Sequence, residues 1–225
     1  MVSLPVLVGK FMRLSGVFSL PLLLLVSASA SAAAGTSSDP GDEPELIQLY
    51  TQDELNVLIN EGRHLERIKI DECQFTRDIK DRALILNYPA YLYLWADMNF
   101  TSTCIRGNAA DGVAALKIAA EKGMPAALYK MGRLFLTGTY VQKDYDSAYR
   151  HIHTAASLGY DDAKLTLVNL LATHDGNEGD YAEAYRWLYR TVFPDSKRHE
   201  LAETLLSELR KKMPASEIRK AESVK

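Results

Sequence analysis

Asp-Tyr-Asp-Ser-Ala-Tyr-Arg at residues 144–150 returns as Asp-Tyr-Ala-Glu-Ala-Tyr-Arg at residues 180–186, a spacing of 36. In the same register Ala127 falls on Ala163, Met131 on Leu167 and Leu134 on Leu170, so one unit covers two helices. Self-similarity at this period marks helical hairpins that cannot bury their apolar faces alone and must stack on one another. A stack of that kind offers long surfaces rather than a cleft, and such surfaces ordinarily bind other proteins.

In the central unit Ala127 and Gly132 leave room for a partner helix, while Leu128, Met131 and Phe135 supply apolar burial. Asp144, and Asp180 one unit on, are each placed to cap a second helix, where unsatisfied N–H groups and the positive dipole end favour a carboxylate. Ala148, Tyr149, Ile152 and Ala156 form the apolar face of that helix, with Ala184 and Tyr185 as the next copies, and Gly159 suits a left-handed turn into the helix of Ala163. Upstream by 36, Tyr91, Trp95 and Met98 fall on Ala127, Met131 and Leu134, and Ala119, Ala120 and Gly123 fall on Ala155, Ala156 and Gly159. Three units therefore share one register over residues 89–195. The first is the least faithful, as suits an end unit modified to cap the stack.

Outside the repeats, Thr51 and Glu54 have the capping-box spacing, and Leu55, Leu58 and Ile59 then share a helical face that Gly62 ends. Ile68 and Ile70 alternate with charged neighbours. Phe75, Ile79, Ala83 and Leu86 fall at helical spacing between Cys73 and Leu86, and Pro89 opens a helix to about Asn99, whose partner runs from about Ala110 to Glu121. Residues 49–88 thus form an N-terminal helical segment. After Pro194 a helix from about Ser196 to Lys211 carries Leu201, Leu205, Leu206 and Leu209, Pro214 stops it, and Ser216 to Val224 is polar enough to be a short surface helix or to fray. Residues 196–225 would cover the open end of the stack. The expected fold is all-α: a helical solenoid of about three repeats with additional helices at both ends.

Lys10 and Arg13 precede an apolar stretch from Leu14 to Val26, followed by small residues from Ser27 to Ala34 with several Ala-x-Ala matches. That is the order of a secretory signal peptide, residues 1–34, with an uncleaved anchor as the alternative. The apolar stretch falls short of the roughly 20 residues a membrane span needs, so no span is expected in the mature chain. Residues 35–48 are rich in Pro, Gly, Ser, Asp and Glu and read as a flexible tether.

The formal net charge of −3 becomes about −5 once Lys10 and Arg13 are removed, which gives no electrostatic reason to expect nucleic acid. Two cysteines, Cys73 and Cys104, enter what reads as an oxidising compartment, so their pairing is expected, two buried free thiols being the alternative. His151 and His153 lie two apart on a helix and face different ways, so they do not share a metal. His64, His174 and His199 stand isolated at loop or exposed positions and read as solvated. Asp161 and Asp162 begin a helix, where negative charge is simply stabilised. No nucleophile elbow, phosphate loop or metal-ligand set is present, and no catalytic residue, cofactor or metal is expected. Aromatic residues recur on the second helices. Most pack inward, and Tyr145, Tyr181, Trp187 and Tyr189 are the candidates for a partner surface.

The run Ala-x-x-x-Met-Gly-x-x-Phe from Ala127 to Phe135, then Asp-Tyr-x-x-Ala-Tyr and Ala-Ala-x-x-Gly at Ala155 to Gly159, resembles the Sel1-like repeat. The resemblance implies an all-helical superhelix related to tetratricopeptide arrays and an adaptor role. Further stretches, at Leu49 to Leu55, Asp71 to Gln74, Leu94 and Trp95 ahead of Cys104, Tyr185 to Tyr189 and Lys212 to Ser216, resemble the periplasmic T-ring proteins of the sodium-driven polar flagellar motor. This second resemblance implies a structural part of a collar built with MotY around the flagellar basal body. It also implies recruitment of PomA/PomB stator units, mainly through PomB, with no sodium current through the chain itself and with Cys73 and Cys104 as a stabilising disulfide. A different periplasmic Sel1-like scaffold, such as a polysaccharide-export adaptor, is the alternative. The β-lactamase-like activity suggested for cysteine-rich Sel1-like proteins fits less well, since those carry a cysteine pair in most units and this chain has a single pair.

Overall fold

Pro89 and Pro125 each stand in the first turn of a helix, where a missing N–H and a fixed φ cost nothing. The computed structural model describes residues 50–174 and 178–223, and all regular structure among them is helical. The elements are α1 (Gln52–Asn60), α2 (His64–Ile70), α3 (Thr76–Leu84), α4 (Pro89–Thr101), α5 (Ala109–Glu121), α6 (Pro125–Thr137), α7 (Tyr145–Ser157), α8 (Asp161–Thr173), α9 (Glu178–Tyr189), α10 (Ser196–Arg210) and α11 (Ala215–Ser223). The hairpins α4–α5, α6–α7 and α8–α9 stack through α5 on α6 and α7 on α8, which makes the fold an α/α solenoid. The leader and the tether lie outside the described residues. Among the described residues no helix is long and apolar enough to cross a membrane.

Small side chains set the spacing of the stack. Ala127, Ala148 and Ala163 are fully buried, Ala184 almost so, and Met131 beside them also lies in the core. A Cβ on Gly132 would stand 2.6 Å from Ile152 Cγ1, so α6 and α7 approach as closely as they do because that position carries none. Phe135 is half-buried and packs against the core from its margin. Gly159 takes no part in packing: it is exposed, at φ 90°, and acts by turning the backbone.

The register reaches one helix further upstream than Pro89. Asn87, Gly123 and Gly159 are all left-handed, at φ 53°, 79° and 90°, and Ala83, Ala119 and Ala155 are all fully buried. Accordingly α3 packs on α4 as α5 packs on α6. The signal is diluted in the sequence because α1 and α3 have only nine residues each and α2 is inserted between them.

The structure bears out some of these expectations and corrects others. Residues 64–70 are helical, with Ile68 buried and Ile70 exposed, a division that two residues two apart also show on a helix. Leu86 is exposed, because α3 ends at Leu84 and the chain turns left-handed at Asn87. In α10 Ala202 faces the core in place of Leu201. Asp144 does cap α7, its side chain accepting from the Ser147 N–H at 3.1 Å, and the Ser147 hydroxyl and this bond hold its carboxyl below the usual range. Asp180, by contrast, lies inside α9, which starts two residues earlier. The terminal segment is a docked helix: Tyr185 donates to Glu222 Oε1 at 2.7 Å, while Arg210 reaches both the Tyr185 hydroxyl (2.7 Å) and Glu222 (3.1 Å). A charged last helix is held by this network and by the buried Ala221.

Cys73 and Cys104 are bonded, with 5.5 Å between their Cα atoms, tying the α2–α3 turn to the α4–α5 loop. In that loop a Cβ on Gly107 would fall 2.1 Å from the backbone oxygen of Asn99. Backbone cannot rotate aside as a side chain can, so Gly107→Ala is expected to destabilise the protein by about 1 to 3 kcal/mol. Thermal melting checks this, and an unshifted transition contradicts the packing described.

Candidate partner-binding surface

Helix α4 is buried all the way round, from Ala90 to Asn99, because α1, α2 and α3 cover it on one side and α5 on the other. A polar side chain on such a helix must find its partners inside the protein. Asn99 donates to the Trp95 carbonyl at 2.9 Å and accepts from the Asn108 N–H at 3.1 Å, which fixes the entry to α5. Asp97 bonds His64 Nε2 of α2 at 2.8 Å through one carboxylate oxygen and the Lys130 ammonium of α6 through the other. The ammonium also lies 5.0 Å from the Tyr93 ring centroid. Burial, and then the Asp97 carboxylate, push the Tyr93 hydroxyl well above its ordinary pKa. The solvated role expected of His64 is therefore wrong: His64 is buried and paired across helices.

The other histidines pack on aromatic rings or stand in solvent. His151 Nδ1 meets the Ser147 carbonyl at 2.7 Å, whereas His153 Nε2 lies 3.4 Å from Glu183 and its ring meets Trp187 edge-on, so the two do face different neighbours. His174 packs on Tyr145, and His199 is exposed. Asp161 and Asp162 are drawn apart by Lys164 and Arg198. Among the described residues no group of three His, Cys, Asp or Glu side chains could hold a metal ion.

The aromatic residues divide unequally. Tyr185 is fully buried, and burial followed by its bond to Glu222 pushes its hydroxyl up to about 12. Tyr149 is half-buried with its hydroxyl beside Asp180, and burial and that carboxylate raise its pKa. Tyr181 is 8% exposed, so it belongs to the core and not to a partner surface. Its packing between helices outweighs the solvent exposure expected near a helix start. Tyr145 and Tyr189 remain 37% and 45% exposed, the latter stacked on Tyr185 with ring centroids 5.8 Å apart. Trp187 is half-buried and lines a groove of about 420 Å³ with Ser157, Lys164, Arg190, Thr191 and Val192. Sequence reasoning missed Val192, which is 87% exposed; its place between the end of a helix and Pro194 was the available signal. A second groove, of about 520 Å³, runs between Gln52, Asn56 and Asn60 of α1 and the turns that enter α6 and α8.

Short two-helix units stacked through alanine-lined contacts, with a left-handed residue between them, define a protein of the Sel1-like helical-repeat class. A solved Sel1 repeat protein from Oxalobacter formigenes shares this fold at a TM-score of 0.51 and 18% identity, over 57% of this chain and 97% of that one. A protective antigen with an SLR fold from uropathogenic Escherichia coli matches at a TM-score of 0.46 and 25% identity, over 58% of this chain and 28% of its own. No family model matches the chain. The sodium-type polar flagellar protein MotX of Vibrio parahaemolyticus is 35% identical over 198 residues, which is 88% of this chain and 92% of that protein. The chain belongs to the MotX family.

Proposed function

We propose that the protein is a non-enzymatic structural and adaptor component of the polar flagellar motor, working in the periplasm on the flagellar basal body. In this reading it joins MotY in the T ring and helps recruit the sodium-driven PomA/PomB stator, mainly through the periplasmic part of PomB, while carrying no current itself. The observation that carries the reading is the length of the match to MotX: 198 residues exceed the repeats at 89–195, so the likeness includes segments a generic scaffold has no reason to share. The leader at 1–34 supplies export and the tether at 35–48 supplies reach. The helices before the repeats are a candidate contact for ring or stator, and the exposed Tyr145, Trp187 and Tyr189 offer aromatic anchors for a partner.

Deletion of the gene tests this. Cells are expected to assemble polar filaments yet fail to swim, with swimming restored by the gene in trans. Unchanged motility in the deletion strain rejects the motor assignment.

A further inference from the structure

Arg186 lies on α9, partly buried, with its Nε sealed from solvent and without a hydrogen-bond acceptor among the described residues. Arg67, Arg198 and Arg210 each meet a carboxylate within this chain, at Asp71, Asp162 and Glu222, and Arg186 meets none among the described residues. A buried donor left unsatisfied is costly, and native structures carry few of them. Arg190 follows four residues later, one residue past the end of α9, where its N–H still meets the Arg186 carbonyl at 3.3 Å, and it too has no carboxylate partner among the described residues. Two like charges at that spacing repel unless an anion sits between them. The acidic side chains nearby are already committed, Glu183 to His153, Asp161 to Lys164 and Asp162 to Arg198, so none of these neutralises the pair.

Arg190 also lines the groove of about 420 Å³, where Trp187 and the exposed Val192 add apolar surface beside the cations. Arg and Trp at the edge of a groove are the composition of an interface anchor. The preceding unit carries Arg150 at the position equivalent to Arg186, where it bonds the Ser147 hydroxyl at 3.0 Å and its charge also acts on the Asp144 carboxylate.

We propose that the C-terminal end of α9 and the turn after it dock an acidic segment of a protein partner, Arg186 and Arg190 each taking an aspartate or glutamate carboxylate while an apolar residue between the acids rests on Trp187 and Val192. A guanidinium presents two parallel N–H groups to a carboxylate, which gives both strength and orientation. That the partner belongs to the flagellar motor rests on the function proposed above; the chemistry of the contact does not.

The test uses the full mature chain and a fluorescent twelve-residue peptide alternating glutamate and leucine, with its glutamine counterpart and phosphatidylglycerol vesicles as competing probes, read by anisotropy at low ionic strength. The glutamate peptide is expected to bind on the order of tenfold more tightly than the glutamine peptide. R186Q combined with R190Q should erase that preference without lowering the melting transition, R186K should reduce it, and K197Q at an exposed site on α10 should leave it intact. Equal affinity for the two peptides, a preference that survives R186Q with R190Q, or tighter binding to the vesicles than to the glutamate peptide overturns the proposal. Because the peptide assay needs no cells, its failure is separable from a failure of the motor reading, which the deletion strain reports.

Discussion

Asp97→Asn is expected to lower the unfolding free energy by about 3 to 5 kcal/mol, the range found when one member of a buried ion pair is removed. The carboxylate side chain is 6% exposed, His64 is 7% and Lys130 is 28%, so Asp97 has no route to water and Lys130 has a partial one. The amide keeps the volume and one acceptor but deprives the ammonium of its counter-charge, and the low dielectric around α4 makes that loss large. Lys130 can relax toward solvent, which places the expected effect near the lower bound. Replacing Asp97 by Leu together with Lys130 by Met should recover much of the loss, because no charge is then left unpaired. Denaturant midpoints measured at constant slope check both statements. An unfolding free energy for Asp97→Asn within about 0.5 kcal/mol of the parent, the scale of an ordinary surface substitution, would show that the triad does not hold α2 to the repeats.

The stack was legible in the sequence because two copies of one heptapeptide stand at the unit spacing and carry the alanines with them. What the period could not reveal is the triad. His64, Asp97 and Lys130 lie 33 residues apart in succession, one helical turn less than the unit, so they occupy one line across α2, α4 and α6 without ever aligning in the repeat register. Three different residue types along that line give no self-similarity to detect. The candidate surface was half legible for a related reason: Tyr145 and Tyr181 are register equivalents, each preceded by an aspartate and followed three residues on by an alanine, yet the first is open and the second is covered. Burial at the end of a stack depends on what the last helices cover, and the charged α11 gave little sign that it would dock through Glu222 and Arg210. Arg186 gives no signal in the sequence, because an arginine in a repeat motif reads as a solvated charge until its neighbours are known.

Cys73→Ser and Cys104→Ser are each expected to cost about 3 to 4 kcal/mol, the chain-entropy value for a bridge closing this loop, and the double substitution should cost no more than either alone, since all three remove the same bond. The bridge spans a sequence separation of 31 residues and joins the N-terminal helices to the first repeat hairpin. Glu72, Cys73, Ser102 and Cys104 all stand in left-handed backbone, at φ 53°, 60°, 54° and 61°, within the two segments it ties. For residues other than glycine that conformation costs about 1 kcal/mol each, so the segments are free to relax once the link is cut, and α2 then loses the geometry that brings His64 to Asp97. Reductant added to the parent protein should reproduce the substituted proteins' melting transition. In cells, protein abundance and swimming should fall together in both variants. Parent-like melting and abundance in the serine variants, with the remaining thiol inert to alkylation in the folded state, would mean that core packing around Ile68 and Ile79 holds the N-terminal segment without the covalent link.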